Sequence, residues 1–253
     1  GSLHNYREKV LDVRPDLIVM EFVNDVGLPE DEVAAQYDPD ARAIRFRATV
    51  PSVGFAVFDV RREEPVDAAA AATWDGATGT LENERYRLRL SERGLESLFD
   101  KSVGQELLAA PARLQLLHDE PANWAAWEID FDDLMAEPYA EVPLGGVPAS
   151  VQVGPACAQL TFSHEAAGSS FEQTLTLTDD LVTWDLAIDW ATKGTLLKAP
   201  FLTTARDTQA TYDLGLGAIR RGLNREALYE VPAQRWADVT DASGAFGLTV
   251  TND

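Results

Sequence analysis

Alternation of apolar and polar residues constrains the fold of this chain more than any other feature. In the segment YRLRL, Tyr86, Leu88 and Leu90 alternate with Arg87 and Arg89. The same period of two recurs in AIRFRATV (43–50), FEQTLTLT (171–178) and VTWDLAIDW (182–190). Side chains on a strand point alternately to its two faces, so the pattern predicts antiparallel strands with one buried face. We count about a dozen such strands and no long helical pattern, which predicts an all-β fold, a large antiparallel β-sandwich.

The first 40 residues read differently from the rest. The stretch NYREKVLDVRPDLIVMEF predicts a short helix followed by a buried strand over residues 17–22, and LPEDEVAAQY predicts a helical turn or two near Pro29. Small residues dominate PVDAAAAATWDGATGT, which we interpret as a linker. We therefore predict an N-terminal segment over 1–64, a linker over 65–80 and a β-sandwich over 81–253.

Charge and cysteine content exclude some function classes. The formal net charge of −21 repels nucleic acid and anionic lipid surfaces, whereas a neutral sugar meets no such repulsion. No apolar run reaches the length that crosses a bilayer. The single cysteine, Cys157, excludes an internal disulfide, and we expect it to be a buried structural residue in a reducing compartment. We predict a cytoplasmic protein.

The usual signatures of catalysis are missing from the sequence. There is no Gly-x-Ser-x-Gly nucleophile elbow and no phosphate-binding P-loop. The three histidines, His4, His118 and His164, lie far apart and none belongs to a metal-binding pair. We therefore predict no catalytic residue and no metal ligand within this chain.

Carboxylates and aromatic residues are concentrated in two segments, HDEPANWAAWEIDFDD (118–133) and YEVPAQRWADVTD (229–241). Sugar sites use this combination, because an aromatic ring stacks on the apolar face of a pyranose while carboxylates and arginine bind its hydroxyls. The alternative is that the tryptophans fill the core and the arginine only pairs with a carboxylate. The candidate carbohydrate-binding residues are Asp119, Trp124, Trp127, Glu128, Asp130, Arg235 and Trp236.

Four segments, taken in order, resemble one known family. LENERYRLRLSERGLESLFDKSVGQELL (81–108) resembles the opening of the C-terminal sandwich of family 38 glycoside hydrolases, the retaining α-mannosidases. DEPANWAAWEID (119–130) resembles that family's Asp-x-Pro-x-x-Trp-Asp-Ala-Trp-Asp-x-Asp segment. The segments 50–60 and 229–253 are similar to the strand before the sandwich and to the Glu-x-Pro-Ala-His-Arg-Trp region. The order and spacing agree over residues 42–253, whereas residues 1–41 match poorly.

The resemblance implies a galactose mutarotase-like β-sandwich, which we expect to be truncated at its C-terminus. It also implies that the nucleophile and the zinc ligands belong to an N-terminal catalytic barrel of the same polypeptide. The expected partners are therefore that barrel and a mannose-containing glycan, and homo-oligomer contacts remain open. No cofactor is expected in this chain itself, and the chain alone should not hydrolyse a glycoside.

Three positions depart from the family pattern. Ala125 and Glu128 each stand where the family usually has Asp, and Gln234 stands where it usually has His. The change at position 125 removes one carboxylate that could bind a sugar hydroxyl.

Two other functions remain open at this stage. One is a stand-alone carbohydrate-binding module, or a structural sandwich without a catalytic role. The other is a mutarotase-type sugar epimerase, which would need a histidine facing a carboxylate, with His118 and His164 as the candidates.

Overall fold

The computed structural model describes residues 19–23, 31–38, 42–48, 57–61, 68–124, 127–229 and 231–252. Strands dominate these residues, and the described part of the chain has one short helix, α1 (Phe131–Met135). The strands are β1 (Val19–Val23), β2 (Asp31–Val33), β3 (Ala35–Asp38), β4 (Ala43–Phe46), β5 (Val57–Arg61), β6 (Thr73–Asp75), β7 (Thr80–Glu82), β8 (Tyr86–Ser91), β9 (Gly94–Asp100), β10 (Gln105–Glu106), β11 (Arg113–His118), β12 (Ala140–Pro143), β13 (Ser150–Val153), β14 (Ala158–Ala166), β15 (Ser169–Leu177), β16 (Val182–Asp189), β17 (Thr195–Lys198), β18 (Gln209–Asp213), β19 (Ala218–Gly222), β20 (Trp236–Thr240) and β21 (Gly247–Thr251).

The strands of the described residues form six sheets, and every pairing between these strands is antiparallel. The strand orders are β2-β1-β5, β3-β4, β10-β9-β8-β7-β6, β12-β11-β17, β13-β14-β15-β16 and β19-β18-β20-β21. The prediction of an all-β fold built from antiparallel sheets is confirmed. The alternation that led to it is also visible in β8, where Tyr86, Leu88 and Leu90 are buried and Arg87 and Arg89 are exposed.

The main core lies between the five-stranded sheet and the sheet containing β14 and β15. Leu81 and Leu88 contribute from the first sheet, and Leu160, Phe162 and Leu175 contribute from the second. All five side chains are fully enclosed. Such face-to-face packing of two antiparallel sheets is the arrangement of a β-sandwich.

A second, smaller core lies under the sheet β12-β11-β17. Leu114, Leu116 and Val142 of this sheet pack with Phe171 of β15. The inner face of β15 therefore serves both cores. Cys157 is buried beside the main core, as the sequence predicted.

The turn between β8 and β9 depends on a glycine. Gly94 has a φ of 114°, a conformation that L-residues rarely adopt. A Cβ atom at this position would lie 2.4 Å from the carbonyl oxygen of Ala112. This close approach lets Leu95 and Ala112 form a β-bridge that joins the five-stranded sheet to the strand segment leading into β11.

The N-terminal segment contains strands where a helical turn was predicted. Asp31–Val33 forms β2 and Ala35–Asp38 forms β3, so the helical prediction for LPEDEVAAQY (28–37) is wrong at residues 31–33 and 35–37. Tertiary contacts outweigh the local helical signal: β3 pairs with β4, and Arg45 on β4 binds both Asp38 (2.5 Å) and Gln159 of β14 (2.6 Å). The short helix predicted before residue 17 lies outside the described residues.

The predicted linker over 65–80 includes part of a sheet. Thr73–Asp75 forms β6 at the edge of the five-stranded sheet, and the Ala71 amide donates to the Gly154 carbonyl (2.8 Å). The domain boundaries at 64 and 81 remain predictions.

Candidate functional site

The first predicted segment forms a surface loop between β11 and α1, which we call the tryptophan loop (residues 119–130). Ala125 and Ala126 lie outside the described residues, so the departure at position 125 has no structural account. At its start, the Asp119 amide donates to the Gly194 carbonyl (3.0 Å). At its end, the Asp130 carbonyl accepts from the Leu134 amide (3.0 Å) as α1 begins.

Both indoles of the tryptophan loop are exposed to solvent. Trp124 is 72% exposed and Trp127 is 88% exposed. The Trp124 carbonyl accepts hydrogen bonds from the amides of Trp127 (2.7 Å) and Glu128 (3.2 Å). Trp124 has a φ of 49°, and a bulky residue in this left-handed region is strained unless its surroundings hold it there. Their exposure excludes the interpretation of these two tryptophans as core residues.

Two carboxylates of this region bind backbone amides. The Asp130 carboxylate accepts from the Ala122 amide (3.3 Å), and the Asp133 carboxylate accepts from the Glu120 amide (3.3 Å). These bonds connect the two sides of the tryptophan loop. They leave the exposed Glu128 side chain facing water.

Asp119 differs from these two acids. Its Oδ1 atom is buried, and no described group donates a hydrogen bond to it. Ala125 and Ala126, whose amides belong to the same loop, are outside the described residues. The role of Asp119 in binding a sugar hydroxyl remains a prediction.

The second predicted segment enters the sheet β19-β18-β20-β21. The Arg235 amide donates to the Asp213 carboxylate (3.1 Å), and its own side chain is exposed. Trp236 begins β20 opposite Thr251 and is half-buried. No hydrogen bond or ring contact of the described residues joins Arg235 or Trp236 directly to the two exposed indoles.

The two segments meet instead at Tyr229, which no sequence pattern singled out. Its hydroxyl donates to the Ile129 carbonyl (2.9 Å) in the tryptophan loop. Its ring lies 5.1 Å from the ring of Phe131, with an interplanar angle of 57°. The only available signal was its position at the start of the YEVPAQRW segment, which says nothing about its contacts.

The two histidines that the structure describes, His118 and His164, are in separate surroundings. His118 stacks on Tyr139 with a centroid distance of 4.6 Å, and the Tyr139 hydroxyl lies 2.8 Å from the Thr195 hydroxyl. His164 lies on β14 opposite Phe171. Within the described residues, no group of three or more His, Cys, Asp or Glu side chains could hold a metal ion. The described residues thus offer no ligand set for a zinc ion, and the expectation that zinc binds in a barrel outside this chain remains a prediction.

A cleft of about 580 Å³ lies elsewhere on the described surface. It covers β14, β15 and β16, and carboxylates of Glu165, Glu172 and Asp189 line it. None of the predicted carbohydrate-binding residues contributes to this cleft. No helix among the described residues is long and apolar enough to cross a membrane.

The fold and the exposed tryptophans define the class: an antiparallel β-sandwich protein with an exposed aromatic loop. Comparison of the chain with known proteins identifies its family. Residues 81–253 match the Glycosyl hydrolases family 38 C-terminal domain. The chain belongs to glycosyl hydrolase family 38, and the resemblance found in the sequence is confirmed.

The relatives of this chain are longer proteins. It is 26% identical over 249 residues to Alpha-mannosidase 2C1 of Mus musculus and, equally, to that of Homo sapiens. Each alignment covers 91% of this chain but only 24% of the relative, so the chain spans about a quarter of the curated relatives it matches.

Two solved structures share the fold. An alpha-mannosidase from Enterococcus faecalis V583 superposes with a TM-score of 0.55 at 16% identity. A family 38 glycosyl hydrolase from Enterococcus faecalis superposes with a TM-score of 0.56 at 14% identity. In both comparisons, 95% of this chain aligns with 33% of the other chain.

Proposed function

We propose that this chain is the accessory sandwich of a retaining, zinc-dependent α-mannosidase, and that its tryptophan loop binds a mannose-containing glycan beside the active site of a catalytic barrel in the same polypeptide. The observation that carries the proposal is the pair of exposed indoles, Trp124 and Trp127, on a hydrogen-bonded turn.

Exposure is the reason to assign these indoles a ligand. An indole contributes a large apolar area, so a tryptophan that only stabilised the sandwich would be expected in its core. Adjacent large apolar side chains in water are typical of a contact surface. A pyranose presents an apolar face to a ring and hydroxyls to neighbouring acids, and Glu128 and Asp119 lie in the same loop. A neutral glycan also avoids repulsion by the net charge of −21.

The chemistry of glycoside cleavage is assigned to groups outside this chain. The relatives that are named α-mannosidases are about four times as long as the aligned region. As the family resemblance implies, a barrel carboxylate and a zinc ion would supply the reaction, and the residues of this chain would bind and orient the glycan. The buried, unpaired Cys157 also supports our proposal of a cytoplasmic location.

The test uses the chain with and without the coding sequence that precedes it in its gene. The purified chain should show no turnover of an aryl α-mannoside, and the longer polypeptide should hydrolyse it. Trp124→Ala and Trp127→Ala should each lower kcat/KM of the longer polypeptide about tenfold, the scale expected for one lost stacking contact. Val147→Ala, which removes another exposed apolar side chain, is the matched control. Turnover by the chain alone would refute the proposal that the catalytic groups lie outside this chain.

A stand-alone carbohydrate-binding module is the second candidate, because the indoles are already exposed on a turn formed within this chain. Titration of the purified chain with α-mannobiose distinguishes the two. Binding that disappears in Trp124→Ala would favour the module, whereas binding only by the longer polypeptide would favour the accessory sandwich.

The third candidate function is a structural sandwich that makes no contact with a glycan. Exposed apolar side chains in and just after β16 support it. Leu186 lies on the same face as the buried Gln173 but is 40% exposed, and Trp190 beyond the strand end is also exposed. This apolar surface would be covered by another domain. A normal kcat/KM in both tryptophan variants, with loss of activity in Leu186→Asp, would favour this function.

A further inference from the structure

We propose that Tyr229 is a positioning residue that holds the tryptophan loop in the shape that presents Trp124 and Trp127 to a ligand. The inference deepens the proposed function and rests on it for the identity of the ligand. The geometric part concerns this chain alone: one hydroxyl and one ring fix the C-terminal side of the loop.

The loop has little packing of its own to hold it. None of its described side chains is buried, and the first buried side chain after it is Leu134 in α1. Hydrogen bonds therefore determine its shape, and segments with few buried contacts open at low free-energy cost. The contact between the Tyr229 hydroxyl and the Ile129 carbonyl (2.9 Å) lies two residues beyond Trp127.

Hydrogen bonds of described residues lie on both sides of Tyr229. The amides of Arg225 and Leu228 each donate to the other's carbonyl, at 3.0 and 2.7 Å, just before Tyr229. On the other side, the Gln234 amide donates to the Asp213 carbonyl (2.9 Å) at the end of β18. The Tyr229 hydroxyl thus links the second predicted segment to the tryptophan loop.

The tryptophan loop needs the hydrogen bond from Tyr229 for two reasons, the backbone conformation of Trp124 and the order of the loop before a ligand binds. The left-handed backbone at Trp124 persists only where several contacts fix it, and the two described hydrogen bonds to the Trp124 carbonyl are local ones, from Trp127 and Glu128. A ligand that stacks on two indoles also binds more tightly when their turn is ordered before binding, because less conformational entropy is lost. Tyr229 meets both demands without contacting the ligand.

The test is amide hydrogen exchange across the tryptophan loop in Tyr229→Phe. This variant removes the hydrogen bond and keeps the ring contact with Phe131. The amides of Trp127 and Glu128 should exchange about three- to tenfold faster, the effect of losing one hydrogen bond from a local opening equilibrium. The control is Tyr212→Phe, which removes a hydroxyl for which no described hydrogen bond exists, on β18 of the neighbouring sheet.

Two further readouts separate positioning from general stability. The urea midpoint of Tyr229→Phe should equal that of the wild type, while acrylamide quenching of tryptophan fluorescence increases. In the longer polypeptide, Tyr229→Phe should raise KM for an aryl α-mannoside about threefold to tenfold with kcat unchanged, through the same local opening.

The possible outcomes distinguish this inference from the proposed function. Unchanged exchange in Tyr229→Phe overturns the inference, whatever the protein binds. Faster exchange with an increased KM supports it. Faster exchange together with normal kinetics in Trp124→Ala supports the structural role of Tyr229 and refutes the glycan role of the loop alone.

Discussion

The buried amide of Gln173 should be a major determinant of stability, because it joins three strands inside the sandwich. Its side chain is 0% exposed on the inner face of β15. Its Nε2 atom donates to the Pro143 carbonyl at the end of β12 (2.8 Å), and its Oε1 atom accepts from the Trp184 indole of β16 (3.1 Å). Gln173→Leu keeps a similar volume and removes both hydrogen bonds.

The expected loss in the free energy of unfolding follows from the two groups that lose their hydrogen-bond partner, the Pro143 carbonyl and the Trp184 indole N–H. Each buried polar group left without a hydrogen bond costs about 1–3 kcal/mol. Pro143 and Trp184 are both half-buried, so water satisfies part of this demand, and the leucine side chain gains apolar burial. We expect a net loss of about 2 kcal/mol in the free energy of unfolding. For a chain of this size the loss lowers Tm by about 4–8 °C.

Urea unfolding followed by circular dichroism measures the loss. Gln115→Leu is the matched control, since Gln115 makes no described side-chain hydrogen bond, and it should change stability by no more than about 0.5 kcal/mol. In a Trp184→Phe background, the cost of Gln173→Leu should fall by about 1 kcal/mol, because one of its two partners is already removed. A cost equal to that of the control, in either background, would refute the reasoning.

Three further predictions concern the core, the thiol and an acid. Phe162→Ala should lower the free energy of unfolding by about 3–5 kcal/mol in the same urea assay, because a fully enclosed ring leaves a cavity; a loss under about 1 kcal/mol would contradict its place in the core. Burial raises the pKa of the Cys157 thiol, so a disulfide reagent at neutral pH should modify it only on unfolding, and rapid native labelling would contradict its burial. At Asp100, burial raises the pKa, but hydrogen bonds from Ser102 and the Arg85 guanidinium outweigh it and leave the pKa below its ordinary value. Its contribution to stability is complete above the ordinary aspartate pKa and is lost as the pH falls through the lowered value, so the urea midpoint should fall less steeply on acidification in Asp100→Asn than in the wild type.

The strands could be predicted from sequence because their signal is local. The alternation in β8, β15 and β16 follows from the two faces of a strand, and each of these strands lies where the pattern placed it. The segment LPEDEVAAQY shows the limit of local signals. Its acidic first turn favours a helix, but pairing with β4 and the contact of Arg45 with Gln159, 114 residues away, produce strands.

The candidate site was only partly predictable. The composition of the tryptophan loop indicated a contact surface, but sequence could not distinguish exposed indoles from buried ones. It also gave no sign that Asp130 binds the Ala122 amide within the loop. Tyr229 was missed because its contact with Ile129 spans 100 residues and no residue pattern encodes it.

The most direct test of the proposed function is the hydrolysis of an aryl α-mannoside by the polypeptide that includes the coding sequence preceding residue 1. We expect turnover by this polypeptide, none by the chain alone, and a kcat/KM about tenfold lower in the Trp124→Ala and Trp127→Ala variants of the longer protein. Turnover by the isolated chain, or a kcat/KM unchanged in both variants, would contradict the proposal.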